Sequence, residues 1–190
     1  MKMTPAWMTA AALALSGGVS LVAGAAPSAA APAATEASAW QHHHATFSYF
    51  GITSIYTCDG LEGKVRQIMR FLGARADLKV AAQGCPRGPD SLSRSAWVTV
   101  DFDTLALAAA DAPTADIVPA RWTAFKIDTQ RPFFMDGGDC ELIEEMRPVL
   151  VSNFSWRNLD YRTSCTPHEI TLLDFRVHGE VLKSSAKDAG

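Results

Sequence analysis

Two aspartates that alternate along one predicted strand are the first residues that could perform chemistry. Asp101 and Asp103 fall on the same face of the run 95–105, because successive side chains of a β-strand point to opposite faces. Paired carboxylates can transfer protons in catalysis or bind a cation. A polar strand face in contact with water is the simpler interpretation of this pair.

His178 lies in a charged stripe of another predicted strand, 169–182. A histidine beside a carboxylate can act as an acid–base group, but no motif places a serine or cysteine nucleophile near it. A ladder of cross-strand salt bridges is the simpler interpretation. Asp101, Asp103 and His178 are the residues that an alternative function, a small secreted hydrolase or metal-dependent enzyme, would use.

Three consecutive histidines, His42, His43 and His44, precede the predicted fold. Imidazole nitrogens bind zinc, copper and nickel, and short histidine tracts can do so. This tract lies in a segment predicted to be flexible, where three adjacent rings cannot all face one ion. We therefore expect only adventitious metal binding, and the sequence predicts no catalytic residue, metal site or cofactor.

Three tryptophans are candidates for a binding surface. Trp97 and Trp122 fall on the polar side of their predicted strands, and Trp156 follows the second predicted helix. Gathered on an open sheet face, they would bind a protein, a peptide or a glycan. Placed at sheet edges, they would only shield the backbone, and both interpretations remain open.

The four cysteines predict two disulfides. Three pairings are formally possible. Cys58 to Cys85 spans 27 residues and Cys140 to Cys165 spans 25, and each interval holds a helical pattern followed by a strand pattern. We predict one bridge within each interval, which would pin a helix against the sheet. Zinc sites usually bring cysteines in close pairs, which this sequence lacks.

Both intervals begin with the pattern of an amphipathic helix. In the first, Asp59 and Glu62 predict a capping box, and Gly73 is the predicted stop. In the second, Asp139 is the predicted cap, and Pro148 predicts a kink or an end. The apolar faces are Leu61, Val65, Ile68 and Leu72, then Leu142, Ile143, Met146, Leu150 and Phe154.

Each half of the chain reads strand–helix–strand–strand. An offset of 82 residues aligns the two helices, and strand-like runs lie at 46–56, 76–85, 95–105, 121–127, 157–165 and 169–182. Apolar and polar residues alternate in these runs, which is typical of an antiparallel sheet with water on one face. The sequence predicts a two-layer α+β fold, an antiparallel sheet with two helices on one face. A duplicated βαββ unit would build it, with pseudo-repeats at about 46–105 and 121–182.

The N-terminus has the parts of a secretory signal peptide. A short positive region precedes an apolar run from Trp7 to Val22, and Ala23-Gly24-Ala25 matches a cleavage site. We expect a signal peptide at 1–25, a disordered Ala/Pro-rich tether at 26–45, a single domain at 46–182 and a disordered tail at 183–190. The mature protein is expected to be secreted or periplasmic, without stable membrane insertion.

The charge of the chain disfavours one class of partner. Lys and Arg number 17 against 20 Asp and Glu, a net charge of −3. Proteins that bind nucleic acids through phosphates carry a basic excess. We expect no nucleic-acid partner.

The stretch TCDGLEGKVRQIMRFLGARADLKVAAQGC, residues 57–85, carries a family resemblance. It resembles a group of small secreted proteins of proteobacteria that have an aromatic-x-Cys before a helix, then LGA and a strand ending in Gly-Cys. That group has no assigned activity. The resemblance implies an exported, disulfide-bonded protein and transfers no catalytic residue.

These observations lead to an expected function class rather than a reaction. We expect a disulfide-stabilised binding or structural module without catalytic activity, whose partner is an unknown protein, peptide or glycan. The enzyme described above is the alternative. An inhibitor of another secreted protein is a third interpretation, with the loop 85–93 as its contact.

Overall fold

A computed structural model describes residues 34–86, 91–110, 113–114, 117–165 and 174–185. Six strands and two helices follow in the order β1 (Glu36–Phe50), α1 (Cys58–Phe71), β2 (Lys79–Gln83), β3 (Ser95–Leu107), β4 (Val118–Asp128), α2 (Cys140–Asn153), β5 (Trp156–Thr163) and β6 (Phe175–Ser184). The predicted signal peptide lies outside the described residues. Among the described residues, no helix combines the length and apolarity that crossing a membrane requires.

The strands form one antiparallel sheet in the order β2-β3-β1-β4-β6-β5. Both helices bury their apolar sides with alternate residues of the strands in one core. The predicted α+β class, with an antiparallel sheet and two helices, is confirmed. The main buried aromatic and aliphatic side chains are Tyr49, Phe102, Phe175, Leu61, Ile68, Leu72, Ile127, Leu142 and Ile143.

The two halves of the sheet have the same internal order. The first half places its strands as β2-β3-β1, and the second, from the opposite edge, as β5-β6-β4. They meet where β1 pairs with β4 over only three residues, Glu36–Ser38 opposite Val118–Ala120. This order is compatible with duplication, which remains a prediction.

Part of the predicted tether belongs to the sheet. Residues 36–45 belong to β1, a strand of 15 residues, and the fold therefore begins ten residues earlier than predicted. From Ser38 to Phe50 this strand pairs with β3 without interruption. Pairing with a long partner supplies the backbone hydrogen bonds that order a segment rich in alanine and polar residues. At the other end, β6 reaches Ser184, two residues into the predicted tail.

The helix starts differ from the predicted caps. Thr57, not Asp59, caps α1, and its hydroxyl accepts a hydrogen bond from Gly60 N at 3.0 Å. Glu62 does not complete a capping box. It accepts a hydrogen bond from Ala82 N at 2.8 Å and so joins α1 to the edge strand β2. Asp139 occupies the cap position of α2 but makes no capping hydrogen bond.

Two irregular positions affect the second half. α2 continues through Pro148 to Asn153, so the predicted end of the helix near this proline is wrong. Pro148 itself is exposed, and the two residues that follow it, Val149 and Leu150, are buried in the core. In the edge strand β5, the register shifts between Arg157 and Asp160, and Asn158 adopts a positive φ of 52°.

Candidate functional site

The side of the sheet opposite the helices is here called the open face. In β3, Val98, Val100 and Phe102 are buried under the helices, whereas Trp97, Asp101 and other alternate residues point to the open face. Cross-strand pairing aligns the open-face side chains into rows. Three parts of this face contain residues that the sequence singles out.

The first part consists of two histidine–aspartate pairs between β1 and β3. His42 stands opposite Asp103 and His44 opposite Asp101. The Nδ1 atoms of the histidines lie 3.0 Å from Asp103 Oδ1 and 2.7 Å from Asp101 Oδ1. The histidine side chains remain 69% and 61% exposed. The structure thus joins two groups that the sequence treats separately, the histidine tract and the paired aspartates.

Basic residues from β2 and the preceding turn complete this part. Arg75 Nη2 lies 2.6 Å from Asp103 Oδ2, and its Nε lies 2.8 Å from Asp77 Oδ1. Lys79 stands opposite Asp101. The hydrogen bond from His44 holds the pKa of Asp101 below its ordinary value. These residues border a cavity of about 420 Å³, lined by His42, Arg75, Asp77, Lys79, Asp101 and Asp103.

The middle histidine points the other way. His43 Nε2 lies 2.9 Å from Thr104 Oγ1, and its ring centroid lies 5.2 Å from that of Phe102. Burial lowers the pKa of His43. Because the tract is part of a strand, only His42 and His44 share a face, and the expectation of a flexible three-histidine tract is wrong. Across the described ranges, no group of three or more His, Cys, Asp or Glu could hold a metal ion.

The second part lies around Trp97, at the other end of these strands. The indole is 52% exposed. Gln83 of β2 and Ser48 of β1 stand on either side of Trp97 in the same row. The adjoining cavity of about 460 Å³ has no charged side chain in its lining, which is Ser48, Tyr49, Phe50, Gln83, Gly84, Ser95, Ala96 and Trp97. Tyr49 stays neutral there because burial raises its pKa.

The other two tryptophans do not join Trp97. Trp122 packs with Leu105 and Leu182 in a small separate cluster, with the Arg157 guanidinium 4.0 Å from its ring centroid. Leu105 lies eight residues along β3 from Trp97, roughly 26 Å in an extended strand. Trp156 packs against the main core. Its ring centroid lies 5.2 Å from that of Phe125, and its Nε1 donates to Leu150 O at 3.1 Å.

The third part contains His178, whose Nε2 lies 3.7 Å from Asp160 Oδ2. His178 is on β6, and β1 and β4 separate this strand from Asp101 and Asp103 on β3. The three residues of the enzyme alternative therefore belong to two places on the sheet. A single catalytic centre would not combine all three.

The predicted disulfides are confirmed. Cys58 is bonded to Cys85 and Cys140 to Cys165, and the Cα atoms are 5.9 Å apart in both bridges. Each bridge links the first residue of a helix to the end of the following strand. Of the loop 85–93, residues 87–90 lie outside the described part of the chain.

Two glutamates of α2 were not recognisable as contacts from the sequence. Glu141 is 1% exposed, and one of its oxygens accepts from Ile52 N at 2.9 Å, Thr53 N at 3.0 Å and Thr53 Oγ1 at 2.7 Å. Glu145 accepts from Phe50 N at 2.9 Å. In sequence, acidic residues in the first turns of a helix are explained by the helix dipole alone. Here they hold the turn that follows β1.

A buried ion pair connects the two halves. Asp139, 1% exposed, lies at the start of α2, and its Oδ2 lies 2.9 Å from Lys64 Nζ of α1. Tyr56 donates a hydrogen bond to Asp139 Oδ1. Lys64 Nζ also donates to Phe134 O at 2.5 Å. These partners explain why Asp139 does not cap its helix.

The chain matches no protein-family model, no curated protein and no solved structure. The resemblance to small secreted proteins of proteobacteria remains a prediction. Function has to be inferred from the side chains described above.

Proposed function

We propose that this chain is an exported, disulfide-stabilised binding module that binds a neutral glycan through the Trp97 end of its open face. The observation that carries the proposal is the row Gln83–Trp97–Ser48 beside an uncharged cavity. The two disulfides support export, since such bonds persist mainly in oxidising compartments.

The chemistry of this row fits a sugar ring. A half-exposed indole offers apolar area at low entropic cost, and it can cover the C–H side of a sugar. The amide of Gln83 and the hydroxyl of Ser48 offer donors and acceptors for sugar hydroxyls on both sides of that ring. A cavity without charge favours a neutral ligand, because it gives an ionic ligand no compensation for lost hydration.

The test is binding of the full chain to a glycan array and to insoluble polysaccharides, followed by titration of the glycan retained. We expect Trp97→Ala to weaken binding at least about 30-fold, the effect of truncating an aromatic anchor at the centre of an interface. Phe133→Ala is the matched control, because Phe133 is 95% exposed and lies outside the Trp97 cavity.

Four outcomes decide the proposal. Glycan binding that Trp97→Ala abolishes and Phe133→Ala preserves would support it. Glycan binding that is equal in the wild type and Trp97→Ala would overturn the assigned surface. Retention of proteins or peptides with no glycan bound would overturn the ligand class, and turnover of a bound glycan would favour the enzyme alternative.

A further inference from the structure

We propose that His42 and His44 together bind one transition-metal ion, Zn²⁺ or Cu²⁺, on the open face. This metal site is independent of the glycan site proposed at Trp97. The row of Thr46 and Thr99 separates the two places. Failure of either proposal would leave the other intact.

The two imidazoles are placed as metal ligands usually are. In metal sites, a ligating histidine commonly donates a hydrogen bond from its second ring N–H to a carboxylate, which fixes the ring and its tautomer. Here each Nδ1 is already held by a carboxylate, at 3.0 Å in the His42–Asp103 pair and 2.7 Å in the His44–Asp101 pair. This leaves Nε2 of both exposed rings for an ion.

The strand places the rings of His42 and His44 on one face and turns the ring of His43 to the other. His42 and His44 are two residues apart on one face of β1, where neighbouring side chains of the same face are roughly 7 Å apart at Cα. His43 points into the protein and is held by Thr104. Pairing with β3 fixes the backbone on both sides of the tract, so the ion does not have to order a flexible segment.

The surroundings favour a cation of the imidazole-binding class. The cavity beside His42 is lined by three carboxylates, Asp77, Asp101 and Asp103, against two cations, Arg75 and Lys79, and His44 lies next to it through its pair with Asp101. With two protein ligands, water would fill the other coordination positions of the ion. Calcium and magnesium prefer oxygen ligands, so a site based on two nitrogens favours a transition metal such as zinc or copper over these two ions.

The experiment is calorimetric titration of the full chain, produced without a polyhistidine tag, with ZnCl₂ and separately with CuCl₂. We expect one ion per chain. His42→Ala and His44→Ala should each weaken binding at least tenfold, because either change breaks the chelate. Asp101→Asn and Asp103→Asn should weaken it by 10–100-fold, the usual effect of losing the carboxylate behind a ligating histidine.

His178→Ala is the matched control, since His178 is also an exposed histidine beside an aspartate but has no partner histidine on its strand face. It should leave the affinity unchanged. On titration with ZnCl₂, which is diamagnetic, NMR signals of the His42 and His44 rings should shift while those of His43 stay in place.

The proposal is overturned if the wild type binds no ion, or if His42→Ala and His44→Ala bind as the wild type does. Equal loss in His178→Ala would show scattered binding to single histidines and would also overturn it. Because both ligand side chains are exposed, the alanine variants should keep the wild-type melting temperature, which a thermal scan verifies.

Discussion

Glu145 shows how one partly buried carboxylate makes stability depend on pH. Burial raises the pKa of Glu145 to about 7, the hydrogen bond from Phe50 N opposes this, and the charge of Glu141 adds to it. Between pH 4.5 and about pH 7, the Glu145 carboxyl of the folded protein therefore retains a proton. The unfolded chain, in which this group has a pKa of 4.5, has already lost it. Stability from this group is fully present below pH 4.5 and is lost as pH rises through about 7.

Replacement of Glu145 by glutamine should flatten this dependence. Between pH 5 and pH 7.5, we expect the wild type to lose about 1 kcal/mol of unfolding free energy relative to Glu145→Gln, after allowance for the partial exposure of the carboxylate. Urea unfolding of both proteins across this range measures the difference. Parallel curves for the two proteins would contradict the assignment.

For single residues, the sequence predicts the face on which a side chain lies better than it predicts the residue that this side chain contacts. The alternation in 95–105 places Asp101 and Asp103 on the correct face, but nothing local reveals that His42 and His44 stand opposite them. Their meeting depends on the register of β1 against β3, a relation between segments about 60 residues apart. Asp139 shows the same limit, because its partner Lys64 comes from another helix.

The helices owe their positions to covalent and polar ties at their ends. Each begins at a cysteine whose bridge reaches the end of the following strand. α1 is joined to β2 a second time by Glu62 and Ala82 N. α2 holds the turn after β1 through Glu141. Each helix is thus tied to the sheet by contacts beyond its apolar face.

Removal of either bridge should cost a similar free energy. For loops closed by 27 and 25 residues, chain entropy gives about 3.5 kcal/mol per bridge. We expect about this loss of unfolding free energy for Cys58→Ala with Cys85→Ala, and for Cys140→Ala with Cys165→Ala. Urea unfolding with non-reducing peptide mapping checks it, and a loss below about 1 kcal/mol in either pair would refute the entropic account.

Element types follow from periodicity, whereas element ends depend on partners. All six strands overlap the predicted runs, because alternation survives in the local sequence. β1 starts ten residues early because β3 is long enough to pair with it. Pro148 does not end α2, because Val149 and Leu150 after it are buried in the core and their burial offsets the lost backbone hydrogen bond.

At the scale of the molecule, two halves with the same strand order share the main hydrophobic core. Direct strand pairing between them is restricted to three residues on each side. The Lys64–Asp139 ion pair and the contacts of α2 with the end of β1 supply further links. Cooperative unfolding of the halves should depend on these buried polar contacts.

Lys64→Met tests the link between the halves. It leaves the Asp139 carboxylate buried without its cation, and we expect a loss of about 3 kcal/mol in unfolding free energy. Adding Asp139→Asn should recover part of this loss, because the uncompensated charge is removed. Chemical denaturation of the single and double variants measures both effects.

Lys126→Met is the control for this prediction. Lys126 lies 2.5 Å from Asp128 in a pair whose lysine is 45% exposed, and such surface pairs contribute at most about 1 kcal/mol. Equal losses in Lys64→Met and Lys126→Met would show that burial does not strengthen the connection between the halves.

The two outer strands also determine how the protein behaves in crowded solution. A fibril grows when an exposed edge offers a straight row of free amides and carbonyls to another chain. At one edge the Glu62 carboxylate already occupies the outward amide of Ala82, and at the other the displaced register around Asn158 bends the row. We therefore expect both ends of the sheet to resist templated aggregation.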